Sequence, residues 1–159
     1  MTESTDWSNT VLALSGVGVP PYSARGLRQT LTPIEASRQM ARTVNGTLRD
    51  FSASQFRKYE STITGTDQQP PACDGVWPGQ AVTVDCIVEL AVQGEVDTTD
   101  TGATDASEAL GRDHVAGSIR TESGFTFYRP KLSMRVTSFN IERDEWGAQV
   151  RWTMELEEV

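Results

Sequence analysis

The sequence predicts an all-β, mostly antiparallel fold, a β-sandwich or small barrel with at most one short helix. Three observations predict it. Apolar residues recur at every second position in two long segments, Gly, Pro and Asn punctuate the chain at short intervals, and only one stretch carries a helix-capping signal. The 159 residues suit one domain, and 1–159 reads as a single β domain. Within it, 1–24 is expected to be an arm or first strand and 93–113 a mobile acidic loop.

Near the N-terminus, Thr10 to Leu14 is strand-like, but Gly16, Gly18, Pro20 and Pro21 interrupt anything longer. Leu27 to Thr32 and Tyr59 to Thr64 are short strands bounded by Gly or Pro. Between them, Pro33 to Ala41 has the best helical signal. Thr32 is placed to cap it, Pro33 to be its first residue, and Glu35 stands third after Thr32. Ser52 to Phe56 reads as one further turn. Asn45-Gly46, between Arg42-Thr43-Val44 and Thr47-Leu48-Arg49, predicts a hairpin with a type I′ turn.

Trp77-Pro78-Gly79 predicts a type II turn leading into a strand from Val82 to Leu90. There Val82, Val84, Cys86, Val88 and Leu90 alternate with Thr83, Asp85, Ile87 and Glu89. Phe125 to Tyr128 and Leu132 to Ile141 are further strands, separated by Pro130, and Asp144 to Gly147 turns the chain into the last one. From Ala148 to Leu156 the apolar set is Ala148, Val150, Trp152, Met154 and Leu156. A helix would put Trp152 and Met154 about 200° apart, so only a strand gathers them on one face.

Charge excludes several roles. There are 22 acids against 14 bases, for a net −8. Neutralising phosphates needs a basic face, and no clustering of basic residues is read in the sequence, so sequence-specific nucleic-acid binding is not expected. The longest apolar run, Val11 to Leu14, is far short of a membrane span, and the polar start has no signal-peptide pattern. The segment Gln93 to Asp113 carries Glu95, Asp97, Asp100, Asp105, Glu108 and Asp113 against only Arg112. A loop of this length is either a solvated tip or an arm that orders against a neighbour.

Chemical constellations are sparse, so no catalytic residue, cofactor or metal is expected. His114 is the single histidine, at the edge of the acidic loop, and its surroundings match no EF-hand spacing. Asp74, Asp85 and Glu89 are carboxylates of the type a glycosidase pairs, but Asp85 and Glu89 are placed outward by the strand register. Gly16-Val17-Gly18 lacks the remainder of a phosphate loop. Cys86 falls in an apolar alternation and reads as a small buried hydrophobe, whereas Cys73, among prolines, reads as an exposed free thiol. Trp152 belongs to the core. Trp77 and Trp146 sit in turns, where exposed aromatics anchor interfaces.

The run Pro21-Tyr22-Ser23-Ala24-Arg25-Gly26-Leu27 is followed by Arg42-Thr43-Val44-Asn45-Gly46-Thr47-Leu48 and by Phe56-Arg57-Lys58-Tyr59. Further on come Asp74-Gly75-Val76-Trp77-Pro78-Gly79-Gln80, Asp144-Glu145-Trp146-Gly147-Ala148 and the ending Glu157-Glu158-Val159. In this order they resemble minor structural proteins of tailed bacteriophages, over nearly the whole chain from Leu12 to Val159. The size and β-rich pattern look like the small tail-tube type. That resemblance implies a non-enzymatic virion subunit of the tail, baseplate or neck, assembled in the host cytoplasm beside other phage structural proteins. Its copies would close a hexameric ring, with a long loop or arm reaching the next ring. The N-terminal stretch and the 93–113 loop would fill those roles. Tail-tube proteins carry a clearer helix than this chain offers, which leaves open a trimeric capsid decoration (cement) protein. A carbohydrate-binding β-module using exposed Trp is a further alternative. The candidate interface residues are Tyr22, Arg25, Trp77, Trp146, Asp97, Asp100 and Asp105.

Overall fold

The computed structural model describes residues 12–16, 26–95 and 110–159. Eleven strands are described, and all their pairings are antiparallel. They are β1 (Ala13–Leu14), β2 (Arg28–Pro33), β3 (Met40–Arg42), β4 (Leu48–Asp50), β5 (Tyr59–Asp67) and β6 (Ala81–Asp85), then β7 (Leu90–Gln93), β8 (Arg120–Glu122), β9 (Phe125–Tyr128), β10 (Lys131–Arg143) and β11 (Val150–Glu158). The all-β, antiparallel expectation is met. Six strands form the main sheet in the order β1-β6-β10-β11-β5-β2, curled into a half-barrel. A second sheet has the order β7-β9-β8, and β3 pairs with β4 alone.

The core lies on one face of the main sheet because period-2 sequences deliver their apolar residues to one side. Val82 and Val84 of β6, Leu132, Met134 and Val136 of β10, Trp152, Met154 and Leu156 of β11, and Ile63 of β5 are all buried there with Leu12 and Leu14. β10 and β11 form the long terminal hairpin read from the sequence, closed at Asp144–Gly147 by a Gly147 N–H to Asp144 carbonyl bond of 3.2 Å. A bulge between Val136 and Ser138 shifts the β10 register, so Phe139 and Ile141 face Met154 and Trp152 beyond it. Opposite Trp152 on β5 stands Gly65, the one position where the indole can lie directly on backbone.

Several expectations are corrected. The Val82–Leu90 strand is two strands in two sheets. The chain bends at Cys86–Glu89, where the Cys86 N–H reaches the Pro130 carbonyl (3.1 Å) and the Ile87 N–H reaches the Gln29 side-chain oxygen (2.7 Å). The 33–41 helix is reduced to a single 3-10 turn, Glu35–Ser37, with a second at Ser54–Phe56. Pro33 instead ends β2 opposite Tyr59, and the Ile34 N–H bonds the Lys58 carbonyl. The β3–β4 turn is not type I′. Thr43 accepts from Gly46 N–H (2.8 Å), only Gly46 of the pair has positive φ, and Thr43 pairs with Thr47, the pattern of a type I turn with a bulge. The type I′ pattern belongs to Ser123-Gly124, both at positive φ, joining β8 to β9. The Trp77–Gly79 turn is as expected, with Gly79 at φ +92 and a Gln80 N–H to Trp77 carbonyl bond. Cys73 is buried, not exposed, because Val76 N–H and Pro71 carbonyl fold its loop inward.

Candidate functional site

Pro33 and Tyr59 are paired, so residues 34–58 form one long excursion between two neighbouring strands. The excursion is not a slack loop. The two 3-10 turns pass each other, Phe51 N–H bonds the Gln39 carbonyl (2.7 Å), and β3 and β4 carry the ladder to a tip at Thr43–Thr47. Its tip lies on the order of 30 Å along the chain from Pro33 at strand rise. Every residue of β3 and β4 is exposed.

The exposed residues of this arm include large apolar ones: Met40, Val44, Leu48, Phe51 and Phe56. The ladder sets Met40, Arg42 and Leu48 on one side and Ala41, Arg49 and Phe51 on the other. Both faces of the arm therefore mix apolar and cationic groups. An isolated two-stranded ribbon is marginal in water, so these residues gain most by burial against something else. The arm also gathers Arg38, Arg42, Arg49, Arg57 and Lys58 against two acids, Glu35 and Asp50. That corrects the expectation from composition: the net acidity of the chain conceals a basic segment.

Among the residues singled out in the sequence, Trp77 (73% exposed) and Trp146 (94% exposed) do stand out at turns. The structure does not bring them together. Trp77 precedes the turn bonded to Val136 in mid-β10, whereas Trp146 is at the β10–β11 tip, on the order of 20 Å away along the strand. Tyr22, Arg25, Asp97, Asp100 and Asp105 lie outside the described residues, as do most of the N-terminal arm and most of the acidic loop. The functional feature that sequence reasoning missed is the 34–58 arm. Its signal was present as five basic residues and five large apolar ones, but apolar residues in a chain do not announce whether they are core or surface.

Several other polar groups are engaged in ion pairs and hydrogen bonds within the domain. Arg112 donates to both carboxylate oxygens of Glu158 at 3.3 Å and lies 4.7 Å above the Tyr59 ring, while Glu158 also accepts from the Tyr59 N–H. Arg112 and Glu158 line, with Arg57, Lys58 and Lys131, a cavity of about 490 Å³ at the base of the arm. Glu89 pairs with Arg120 at 3.0 Å, which holds its carboxyl below the usual range. Asp85 lies 3.8 Å from Lys131, and Asp74 is exposed. Burial pushes the thiols of Cys73 and Cys86 up to about 11, so both rest as neutral thiols, poor nucleophiles at neutral pH. Among the described residues, no cluster of three His, Cys, Asp or Glu is placed to hold a metal. His114 makes an isolated bridge with Pro130. No helix among the described residues is long and apolar enough to cross a membrane.

No family model and no curated protein matches the chain. A solved structure described as the tail of an empty GTA particle, computed with helical refinement and C6 symmetry, is similar to it at a TM-score of 0.42 and 9% identity, covering 94% of this chain and 91% of that one.

Proposed function

We propose that this protein is a non-enzymatic structural subunit of a tailed-phage-type virion, self-assembling as a ring in the tail, baseplate or neck. The observation that carries the reading is the 34–58 arm, a hydrogen-bonded ribbon that leaves the domain with Met40, Val44, Leu48, Phe51 and Phe56 uncovered. A soluble monomer has little reason to hold five large apolar residues on a projection, whereas an assembling subunit does. The resemblance of its motifs to minor phage structural proteins gives the assembly its kind, and a six-fold ring its favoured order, with a trimer next. The copies would sit among other phage structural proteins in the particle.

Native mass spectrometry with negative-stain class averages tests this. A closed six-fold ring is expected. A three-fold species would move the protein to capsid decoration. A strict monomer at every accessible concentration would overturn self-assembly, and a glycan screen with Trp77→Ala and Trp146→Ala would then test carbohydrate binding.

A further inference from the structure

The 34–58 arm concentrates cations in an acidic chain. It carries five bases against two acids in a protein of net −8, and from Arg38 to Arg49 it holds three arginines and no acid. Arg38, Arg42 and Arg49 are exposed and make no ion pair among the described residues. The Arg42 guanidinium donates only to the Gly46 carbonyl (2.9 Å), within its own hairpin. Charge and apolarity are ordered along the ribbon. The tip, Thr43 to Thr47, is uncharged and presents the fully exposed Val44. Just behind it Arg42 and Leu48 stand opposite each other on one side, then Ala41 and Arg49 on the other, with Met40 and Phe51 following. Both acids lie farther back. Asp50 is opposite Met40, its carboxylate accepting from the Ser52 N–H (2.9 Å), and Glu35 is in the 3-10 turn at the root.

We propose that the tip of the arm docks reversibly on the headgroup layer of an anionic phospholipid bilayer. The proposal goes beyond self-assembly and does not rest on it: a ring with its arms outward presents several to one surface, and a single copy presents one. Two observations select this occupant. First, cationic and apolar groups stand together on both faces of the ribbon. A folded partner lies against one face and leaves the other in water, whereas a fluid headgroup layer surrounds what enters it. There Arg42 and Arg49 meet lipid phosphates, while Val44, Leu48, Met40 and Phe51 reach the acyl boundary. Duplex DNA would pair with the arginines and leave those apolar groups without an apolar environment. Second, the basic part stands clear of the acidic body. Neither β3 nor β4 pairs with any other strand, and the ladder carries Val44 on the order of 15 Å beyond the Gln39–Phe51 bond. That is about two Debye lengths at physiological salt, roughly 8 Å each, so the surface attracts the arm while its repulsion of the body is screened. The depth is limited as well. The outer edges of a two-stranded ribbon have no ladder partners, which is costly in hydrocarbon, so the arm rests at headgroup level and does not span.

The test is co-sedimentation of full-length protein with vesicles, either pure phosphatidylcholine or an equimolar mixture with phosphatidylglycerol, at low and high salt. Wild type is compared with Arg42→Gln/Arg49→Gln and Val44→Ser/Leu48→Ser, with circular dichroism melts as the control for folding and native mass read in the same buffers. Wild type should bind the anionic vesicles, weakly prefer neither leaflet charge only if the proposal is wrong, and release at high salt. At about fivefold per cation, the arginine variant should bind on the order of twentyfold more weakly. The apolar variant should lose at least about tenfold and keep the salt dependence. Wild type that ignores anionic vesicles, binds neutral ones equally well, or binds no better than the two variants would overturn the proposal. Retention on duplex DNA without vesicle binding would overturn it in favour of a polyanion. Rings that do not bind vesicles would overturn it and leave self-assembly standing, whereas a strict monomer that binds them through the arm would uphold it and overturn self-assembly. Should a double variant melt early, Val44→Ser alone replaces it, since that side chain is fully exposed, and unchanged binding again overturns the proposal.

Discussion

Gly65 is held to glycine by a side chain rather than by its own backbone, and Gly65→Ala measures how tightly the core is built. The residue lies in ordinary strand conformation within β5, so alanine faces no conformational penalty there. Its methyl, however, would lie 2.5 Å from Cε2 and Nε1 of Trp152 and 2.8 Å from Cζ2. Carbon atoms pack best at about 3.5–4.0 Å, so the indole must retreat by about 1 Å. Trp152 is only 2% exposed and is wedged among Ile63, Met154 and Leu156, which are equally buried. Overpacking a dense core costs about 1–3 kcal/mol, and losing a buried Trp altogether about 3–5. Gly65→Ala should fall between, at about 2–4 kcal/mol, a drop of roughly 5–15 °C in melting temperature for a domain of this size. Urea denaturation of a double-mutant cycle with Trp152→Leu checks the cause. Without the indole the same alanine should cost under about 1 kcal/mol, because the coupling of touching residues is about 1–3 kcal/mol. A cost below about 0.5 kcal/mol in wild type, or an equal cost in both backgrounds, would refute the reasoning.

Three further outcomes are expected. Joining Ile34 to Lys58 through a short turn, with the arm removed, should leave the melting temperature within a few degrees, because the arm contributes no residue to the core; a collapse of stability would show that the domain depends on it. Glu158→Gln should cost about 1–3 kcal/mol by urea denaturation, since it leaves the half-buried Arg112 without its anion; a change under about 0.3 kcal/mol would contradict that pairing. The two thiols bind their protons more tightly in the folded chain than unfolded, so stability is complete below pH 9 and declines as pH rises toward 11. The decline should be steeper in wild type than in Cys73→Ala/Cys86→Ala, and parallel slopes would contradict the burial of both.

What the sequence makes legible here is whatever local periodicity determines. β11 follows from alternation, β9 and β10 from β-branched and aromatic runs and β5 from its Gly and Pro bounds, and Trp152 follows as core because its neighbours at two-residue spacing are apolar. The same rule misleads at Cys86–Glu89. Alternation continues through Leu90, but it records which side is apolar and not which sheet receives it. The bend is stabilised by Gln29 and Pro130, both distant in sequence. The capping signal at Thr32–Glu35 was overruled similarly, since pairing with Lys58 and Tyr59 draws Pro33 and Ile34 into a ladder. Asn45-Gly46 did mark a hairpin, and only the turn type differed. The arm was unreadable as such because exposed Met40, Leu48 and Phe51 look, residue by residue, like core.

The arm enters and leaves the sheet at adjacent, hydrogen-bonded positions, and this makes its length almost independent of the fold beneath it. Doubling the length of a closed loop costs only about 0.6 kcal/mol, and no core residue shifts when the excursion grows or shrinks. Insertions and deletions that would ruin a strand can accumulate between Ile34 and Lys58 with little thermodynamic resistance. The domain thus separates two variables that most folds entangle: what keeps the chain folded, and how far it can reach.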